Sequence, residues 1–236
     1  MPHTRQGIGP RILSMEKYSA NIQTIFENYS MELKKNRVIV YVDGFNLYFG
    51  MKESGFDKCK WLDVKKLVMS FMTPNQELVE FKYFTSRINH NPPKQKRQTT
   101  YLEAIEAQGV SIIYGLYKAK NIECENCGHN WTVSNEKMTD VNIATHMIID
   151  AYSDKYDTAI LISGDSDLVP PIKAVHQNFP KKAISVFFPP SRYNSTVAAA
   201  AKGSQLIGRK KLVDNQLPLH VKKKDGYMLS KPSGWE

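Results

Sequence analysis

The sequence predicts a three-layer α/β domain, with a mostly parallel central sheet and helices on both faces. Two observations carry that expectation. Strand-like and helix-like stretches alternate from residue 37 onward, the order that builds parallel sheets through crossover helices. The strand stretches RVIVYV and AILI are apolar without polar alternation, as in strands covered on both faces. A chain of 236 residues has room for one good-sized domain with extensions.

The elements follow in order. Residues 1–36 read as an N-terminal extension, in which Ile22, Ile25, Phe26 and Tyr29 have the spacing of a short amphipathic helix. RVIVYV (37–42) is β-branched and too short for anything but a strand, and Gly44 lets the chain turn sharply into a helix carrying Asn46 and Tyr48. WLDVKKLVMSFM (61–72) repeats apolar residues at helical intervals, and LVEFKYFTS (78–86) is rich in strand formers. Residues 92–109 open on two prolines and stop at Gly109, as helices do. VSIIYGLYKAK (110–120) reads as one strand, leading into a cysteine-bearing insertion at 121–134. Then come a helix (139–153), a strand (156–163), a helix (168–177), a strand (183–189) and a short helix (195–203). The domain proper is expected over 37–201, with a basic C-terminal tail over 202–236. Right-handed crossovers restrict the topology but leave strand order open.

The formal charge of +9 is unevenly spread: residues 202–236 carry +5, residues 1–37 carry +3, and the body between them is nearly neutral. Basic ends on a neutral body suit a polyanion such as RNA, and equally suit mere solubility. The longest apolar runs fall far short of the roughly 20 residues that cross a bilayer, so no membrane partner is expected. No basic-then-apolar leader opens the chain. With three cysteines, an odd count, free thiols or metal ligands are expected rather than a disulfide scaffold. The expected compartment is the cytoplasm.

The chemistry concentrates where predicted strands end. YVDGFNLY places Asp43 and Asn46 after the first strand, LISGDSDL places Ser163, Gly164, Asp165, Ser166 and Asp167 after a later one, and KMTDVNIA places Asp140 at a helix start. In open parallel sheets ligands gather beyond the carboxyl ends of the strands. Each aspartate taken alone has an ordinary reading as a helix cap. Four of them converging on one rim would repel, and grouped carboxylates persist by sharing cations or protons. Oxygen donors favour Mg²⁺ or Mn²⁺.

These blocks, VIVYVDGFNLYFG and EKMTDVNIATHMIIDAYSDKYDTAILISGDSDLVPPIKAV, resemble the NYN domain family, relatives of the PIN-type nucleases, from about residue 37 to 201. The resemblance implies a PIN-like fold and RNA cleavage at a Mg²⁺ or Mn²⁺ site. It makes Asp43 and Asp165 metal ligands, with Asp140 and Asp167 completing the site or positioning the water, and Asn46 their partner. Ser163, Gly164 and Ser166 would support them. Homodimers are common among single-domain nucleases of this size.

Other features point less sharply. Cys124, Cys127 and His129 form half of a zinc knuckle, which Cys59 would complete if the fold brought it near; otherwise the segment is an unmetallated hairpin tip. Arg87, Lys94, Lys96, Arg97 and Tyr101 interleave cations with an aromatic, as single-stranded RNA contacts do, or form a solvated helix face. His146 reads as a structural histidine. Tyr48, Phe49, Tyr83 and Trp131 are core aromatics or the walls of a small-molecule pocket. Two further functions stand beside the metal-dependent ribonuclease. One is a non-catalytic RNA-binding module that keeps the fold. The other rests on a likeness in size and domain type to an NYN-like monooxygenase of bacterial nicotine degradation, assigned to NADH-dependent hydroxylation of 6-hydroxy-3-succinoylpyridine. No dinucleotide fingerprint follows the first strand to support NADH.

Overall fold

A computed structural model of the chain describes residues 35–88, 91–123 and 126–235. The N-terminal amphipathic stretch and Cys124 lie outside the described residues, as does the side chain of Trp131.

Strand β1 (Asn36–Asp43) leads into helix α1 (Gly44–Glu53), then α2 (Val64–Met69), β2 (Gln76–Thr85), α3 (Pro92–Ala107) and β3 (Ser111–Tyr114). After an excursion through β4 (Leu116–Glu123) and β5 (Asn130–Lys137) come α4 (Thr139–Tyr152), β6 (Thr158–Ile162), α5 (Val169–Asn178), β7 (Ala183–Phe188), α6 (Ser195–Ala200) and β8 (Gly203–Leu206). The central six-stranded sheet has the order β3-β2-β1-β6-β7-β8, and each neighbouring pair is parallel. The chain winds one way from β1 to β3 and the other way from β6 to β8. The direction reverses between β1 and β6, and that switch point opens a crevice at the strands' carboxyl ends.

Strand periodicity builds the three layers. Val38, Val40 and Val42 point into one core with Leu47 of α1, Leu67 of α2 and Leu102 of α3. Ile39 and Tyr41, offset by one, point into a second core with Ile143 and Met147 of α4 and Ile172 of α5. This is why RVIVYV lacks polar alternation: both of its faces are covered.

Two sequence expectations change. The run 110–120 is not one strand. β2 ends at Thr85, which pairs with Tyr114, so beyond Gly115 the chain has no partner in the main sheet. It leaves as β4 and pairs antiparallel with β5, from Leu116↔Lys137 to Glu123↔Asn130. The ribbon is therefore wider than the predicted 121–134 insertion. Residues 202–236, read from their charge as a tail, fold onto the domain. β8 extends the central sheet beside β7, α7 (Arg209–Asp214) follows, and β9 (His220–Lys222) pairs with β10 (Met228–Ser230). Leu212, Leu217, Val221, Leu229 and Trp235 are buried in the same core as Tyr101 and Leu102, while the lysines between them remain on the surface. Trp61 clasps this segment by donating its indole N–H to the Pro218 carbonyl at 2.8 Å. Among the described residues no helix is long and apolar enough to cross a membrane.

Candidate active site

Asp43 is the last residue of β1 and the N-cap of α1. Its Oδ1 accepts the Asn46 backbone N–H at 2.9 Å, and its Oδ2 accepts the Ser163 hydroxyl at 3.0 Å. Ser163 follows β6, on the far side of the switch point, and its Oγ in turn accepts the Asp165 N–H at 3.1 Å. Asp165 caps a single 3₁₀ turn, Ser166–Leu168, by accepting the Asp167 N–H at 2.9 Å. The capping reading of Asp43 and Asp165 is therefore geometrically correct. It does not account for what surrounds them.

Asn46 ties the two strand ends together, since its Oδ1 accepts the Gly164 N–H at 3.0 Å. The Gly164 carbonyl accepts Asn194 Nδ2 at 3.2 Å. Gly164 is required by space: a Cβ there would lie 1.9 Å from the Arg192 carbonyl oxygen. A Cβ on Gly44 would lie 2.5 Å from the Tyr83 ring. Both glycines let backbone approach closely where the strands end.

The electrostatics are unusual. Asp43 is only 4% exposed. Burial pushes its carboxyl up to about 7, against the pull of the Asn46 N–H and the Ser163 hydroxyl, and the charges of Asp140 and Asp165 push it further the same way. Asp140, in the first turn of α4, is thus brought within electrostatic reach of Asp43, as is Asp165. Helix α4 is entered through Met138, a non-glycine residue at φ 79°, a left-handed conformation that side chains rarely adopt. Ser166 and Asp167 are exposed at the lip, and Asp167 reaches the cluster through its backbone N–H.

Could these residues hold a divalent cation? Among the described residues, no group of three His, Cys, Asp or Glu side chains stands ready to hold an ion. Mg²⁺ does not require such a cage: it keeps several waters and binds through one or two carboxylates plus substrate phosphate. An all-oxygen set around a buried carboxylate that, among the described residues, has no ion-pair partner fits that kind of open site.

The predicted RNA-contact residues divide. Lys94 and Arg97 of α3 line a cavity of about 350 Å³ beside Gly44 and Thr85. Lys96 lies outside it, exposed on the same helix. Arg87 stacks on Tyr114, 4.6 Å from the ring centroid. Tyr101 is not an exposed stacking platform. Its hydroxyl donates to the Leu62 carbonyl at 3.0 Å, and its ring forms part of the cavity wall with Tyr83 and Trp235. Tyr48 and Phe49 of α1 also line the cavity. His146 packs edge-on against Phe84 at 5.5 Å, and burial and Lys82 lower its pKa.

Among the described residues, Cys59, Cys127 and His129 of the predicted zinc set do not form a group. Cys59 is a free thiol buried in the core, while Cys127 and His129 are exposed at the ribbon tip. An apolar core position packs a thiol as a small hydrophobe.

Sequence reasoning missed Asn194, Lys60 and Trp235. Asn194 carries a legible signal, an Asn before Ser-Thr at a helix start, and it does cap α6. Trp235 carries none, since nothing in the sequence says that a residue so near the C-terminus returns to α3.

Comparisons with known proteins identify the domain through one family model. The NYN domain profile matches residues 37–204. The curated 6-hydroxy-3-succinoylpyridine 3-monooxygenase HspA of Pseudomonas putida (strain DSM 28022 / S16) is 26% identical over 194 residues, 67% of this chain and 61% of that protein. The present chain thus spans less than two thirds of that relative's length. A crystal structure of a protein of unknown function from Vibrio parahaemolyticus matches with a TM-score of 0.52 at 21% identity, over 78% of this chain and 98% of the other, a likeness of fold. The profile match runs from β1 into β8 and takes in both aspartate-bearing strand ends, and on that extent the chain belongs to the NYN domain family.

Proposed function

We propose that the chain is a divalent-metal-dependent ribonuclease, hydrolysing RNA phosphodiester bonds at the switch-point aspartates. The observation that carries this reading is Asp43: a buried carboxylate held, among the described residues, by neutral donors, raised to about 7, with Asp140 and Asp165 adding like charge. Membership of a family within the PIN-like nuclease superfamily supports it. In this reading Asp43, Asp140 and Asp165 hold Mg²⁺ or Mn²⁺, with Asp167 completing the set or orienting the attacking water. When bound, such an ion supplies an activated water near neutral pH and neutralises charge on the phosphate being cleaved.

The chain's own residues do the positioning. Asn46 and Ser163 lock the Asp43 carboxylate across the two strand ends. Gly164 lets the loop pack closely against the Arg192 carbonyl, and in this reading the exposed Ser166 hydroxyl donates to a phosphate oxygen. The basic excess of the terminal segments raises the local concentration of a polyanion.

The test is calorimetric titration of Mn²⁺ and Mg²⁺ into wild-type and Asp165→Asn protein, followed by cleavage of a labelled single-stranded RNA. Loss of both binding and cleavage in the variant supports the ribonuclease. RNA binding without turnover at saturating metal points to a non-catalytic module.

A second reading has its own observation. An aromatic-lined cavity adjoins Asp43, and a relative's name is that of a 6-hydroxy-3-succinoylpyridine 3-monooxygenase. NADH oxidation dependent on that pyridine, without RNA cleavage, would establish hydroxylation instead.

A further inference from the structure

The cavity beside Asp43 has a composition that narrows what it can hold. Its walls combine two groups of rings. Tyr83, Tyr101 and Trp235 run edge to face, with centroids 6.3 and 5.8 Å apart. Phe45 and Tyr48 of α1 flank Phe49 at 6.3 and 5.3 Å. The charged lining is entirely cationic, with no aspartate or glutamate. Lys60 is already engaged, paired with Asp57 and 5.0 Å from the centroid of the Tyr48 ring. Lys94 and Arg97 are different: among the described residues, no carboxylate pairs with either. Gln98 is occupied at both ends, donating to the Ser86 carbonyl and accepting the Ile88 N–H, each at 2.9 Å.

Aromatic walls favour a flat ring, and unpaired cations at the same opening favour an anion attached to it. A wholly apolar ligand would leave the cations without partners, and a metal ion would find no carboxylate. A volume of about 350 Å³ sits at the small end of the roughly 300–1,000 Å³ range of ligand pockets, so it suits one ring-bearing unit rather than a run of them. The cavity and the aspartate site share a wall. Gly44 follows Asp43 directly, the Tyr83 hydroxyl lies 3.5 Å from the Gly44 carbonyl, and the charge of Asp43 adds to burial in raising the Tyr83 phenol.

We propose that this cavity is a subsite for a flat aromatic ring bearing an anionic arm, filled during RNA cleavage by one unstacked nucleotide beside the scissile phosphate. Its base lies among Tyr48, Tyr83 and Trp235, and its phosphate meets Lys94 and Arg97. The identity of the occupant rests on the ribonuclease reading; the ring-plus-anion chemistry does not.

The experiment is titration of uridine and adenosine 5′-monophosphates, and separately of pyridine-3-carboxylate, into metal-free protein, followed by tryptophan fluorescence and calorimetry. Wild type is compared with Arg97→Ala, Lys94→Ala and the neighbouring Lys96→Ala, each first shown to melt like wild type. The proposal expects a mononucleotide to bind, to weaken roughly tenfold in Arg97→Ala and Lys94→Ala, and to be unaffected in Lys96→Ala. The subsite is overturned if none of these ligands binds at millimolar concentration or if Lys96→Ala weakens binding equally, and the nucleotide as its occupant is overturned if only the pyridine carboxylate binds. Because the titration omits metal and turnover, the two readings fail separately. Nucleotide binding by a protein that cleaves no RNA would sink the ribonuclease and keep the subsite. RNA cleavage without nucleotide binding would do the reverse.

Discussion

Two aspartates in this fold are almost equally hidden from water and are treated in opposite ways. Asp43 is 4% exposed and Asp150 1%. Asp150 lies near the end of α4, where its Oδ2 accepts the Tyr41 hydroxyl at 2.8 Å and pairs with the buried Lys82 ammonium, and its Oδ1 pairs with Lys155 at 2.9 Å. Burial pushes that carboxyl up, but the hydrogen bonds from Lys82, Lys155 and Tyr41 together hold it below the usual carboxylate range. Asp43, two residues beyond Tyr41 on the same strand, has a backbone N–H and a hydroxyl for partners and like charges for neighbours, so it is raised to about 7. Burial alone does not mark a functional acid. What separates the two is whether the fold itself supplies the countercharge. At Asp150 it does, and the result is a structural anchor. At Asp43, among the described residues, it does not, and in the proposed ribonuclease a bound cation would supply it.

The sharpest way to break this contrast is to remove each acid. Asp43→Asn and Asp165→Asn should lower RNA cleavage more than about 100-fold, measured with labelled RNA at saturating Mn²⁺. Metal-free Asp43→Asn should nevertheless melt no lower than wild type at pH 8, because the variant removes a buried charge that nothing neutralises. A large drop in its melting temperature would show that Asp43 is structural after all.

Lys82→Met should act the other way, on stability. It leaves the buried Asp150 without its buried partner, a change worth about 3 kcal/mol, or roughly 6–12 °C in melting temperature for a chain of this size. Replacing both partners, as Lys82→Met with Asp150→Leu, should recover most of the loss. If the double variant melts as low as the single one, the charge-balance account is wrong. Lys155 is 49% exposed, so Lys155→Ala should cost less than about 1 kcal/mol.

Between these lies Gly164→Ala. The added methyl meets the Arg192 carbonyl, so the loop must shift, at about 1–3 kcal/mol. It should also lose cleavage out of proportion to that cost, because Asp165 moves with the loop. Cleavage and denaturant midpoint measured on the same preparation test this.

The remaining tests are in pH. Asp150 has a folded pKa below its unfolded value of about 3.9, so its stabilisation is complete above that value and disappears as pH falls through the folded one. Asp150→Asn should flatten the acid arm of a melting curve taken from pH 2 to 5. Asp43 has the opposite sign. Its folded value, about 7, lies above the unfolded one, so in metal-free protein it costs stability progressively as pH rises from about 4 to 7. Asp43→Asn should remove that slope.

Much of this was readable from residue order. The strands stood out because both faces are covered, so RVIVYV and AILI carry no polar alternation to confuse them with surface strands. Asp43, Asn46, Ser163, Gly164 and Asp165 stood out because each follows a strand end. The Lys82–Asp150 pair did not. A lysine within FKYFT alternates with apolar residues in the manner of a solvent-facing strand position, and its partner is 68 residues away. The C-terminal segment was misread for a related reason. Its lysines dominate the charge count, and its few buried apolar residues are too widely spaced to announce a core.

By itself the sequence determined most strands of the central sheet, the caps at Asp43 and Asp165, the acids at the strand ends and the NYN resemblance. These depend on neighbours within a few residues, on propensity, periodicity and short hydrogen bonds. Only the tertiary structure decided that β1 lies beside β6, which joins Asp43 to Ser163 across 120 residues. It also split the predicted RNA-contact residues between a cavity, a stacked pair and an exposed helix face, and buried Cys59 while leaving Cys127 exposed. The reason is physical. An ionisable group's character comes from the charges and the water around it, and those are set by strand order and packing, which local sequence does not encode.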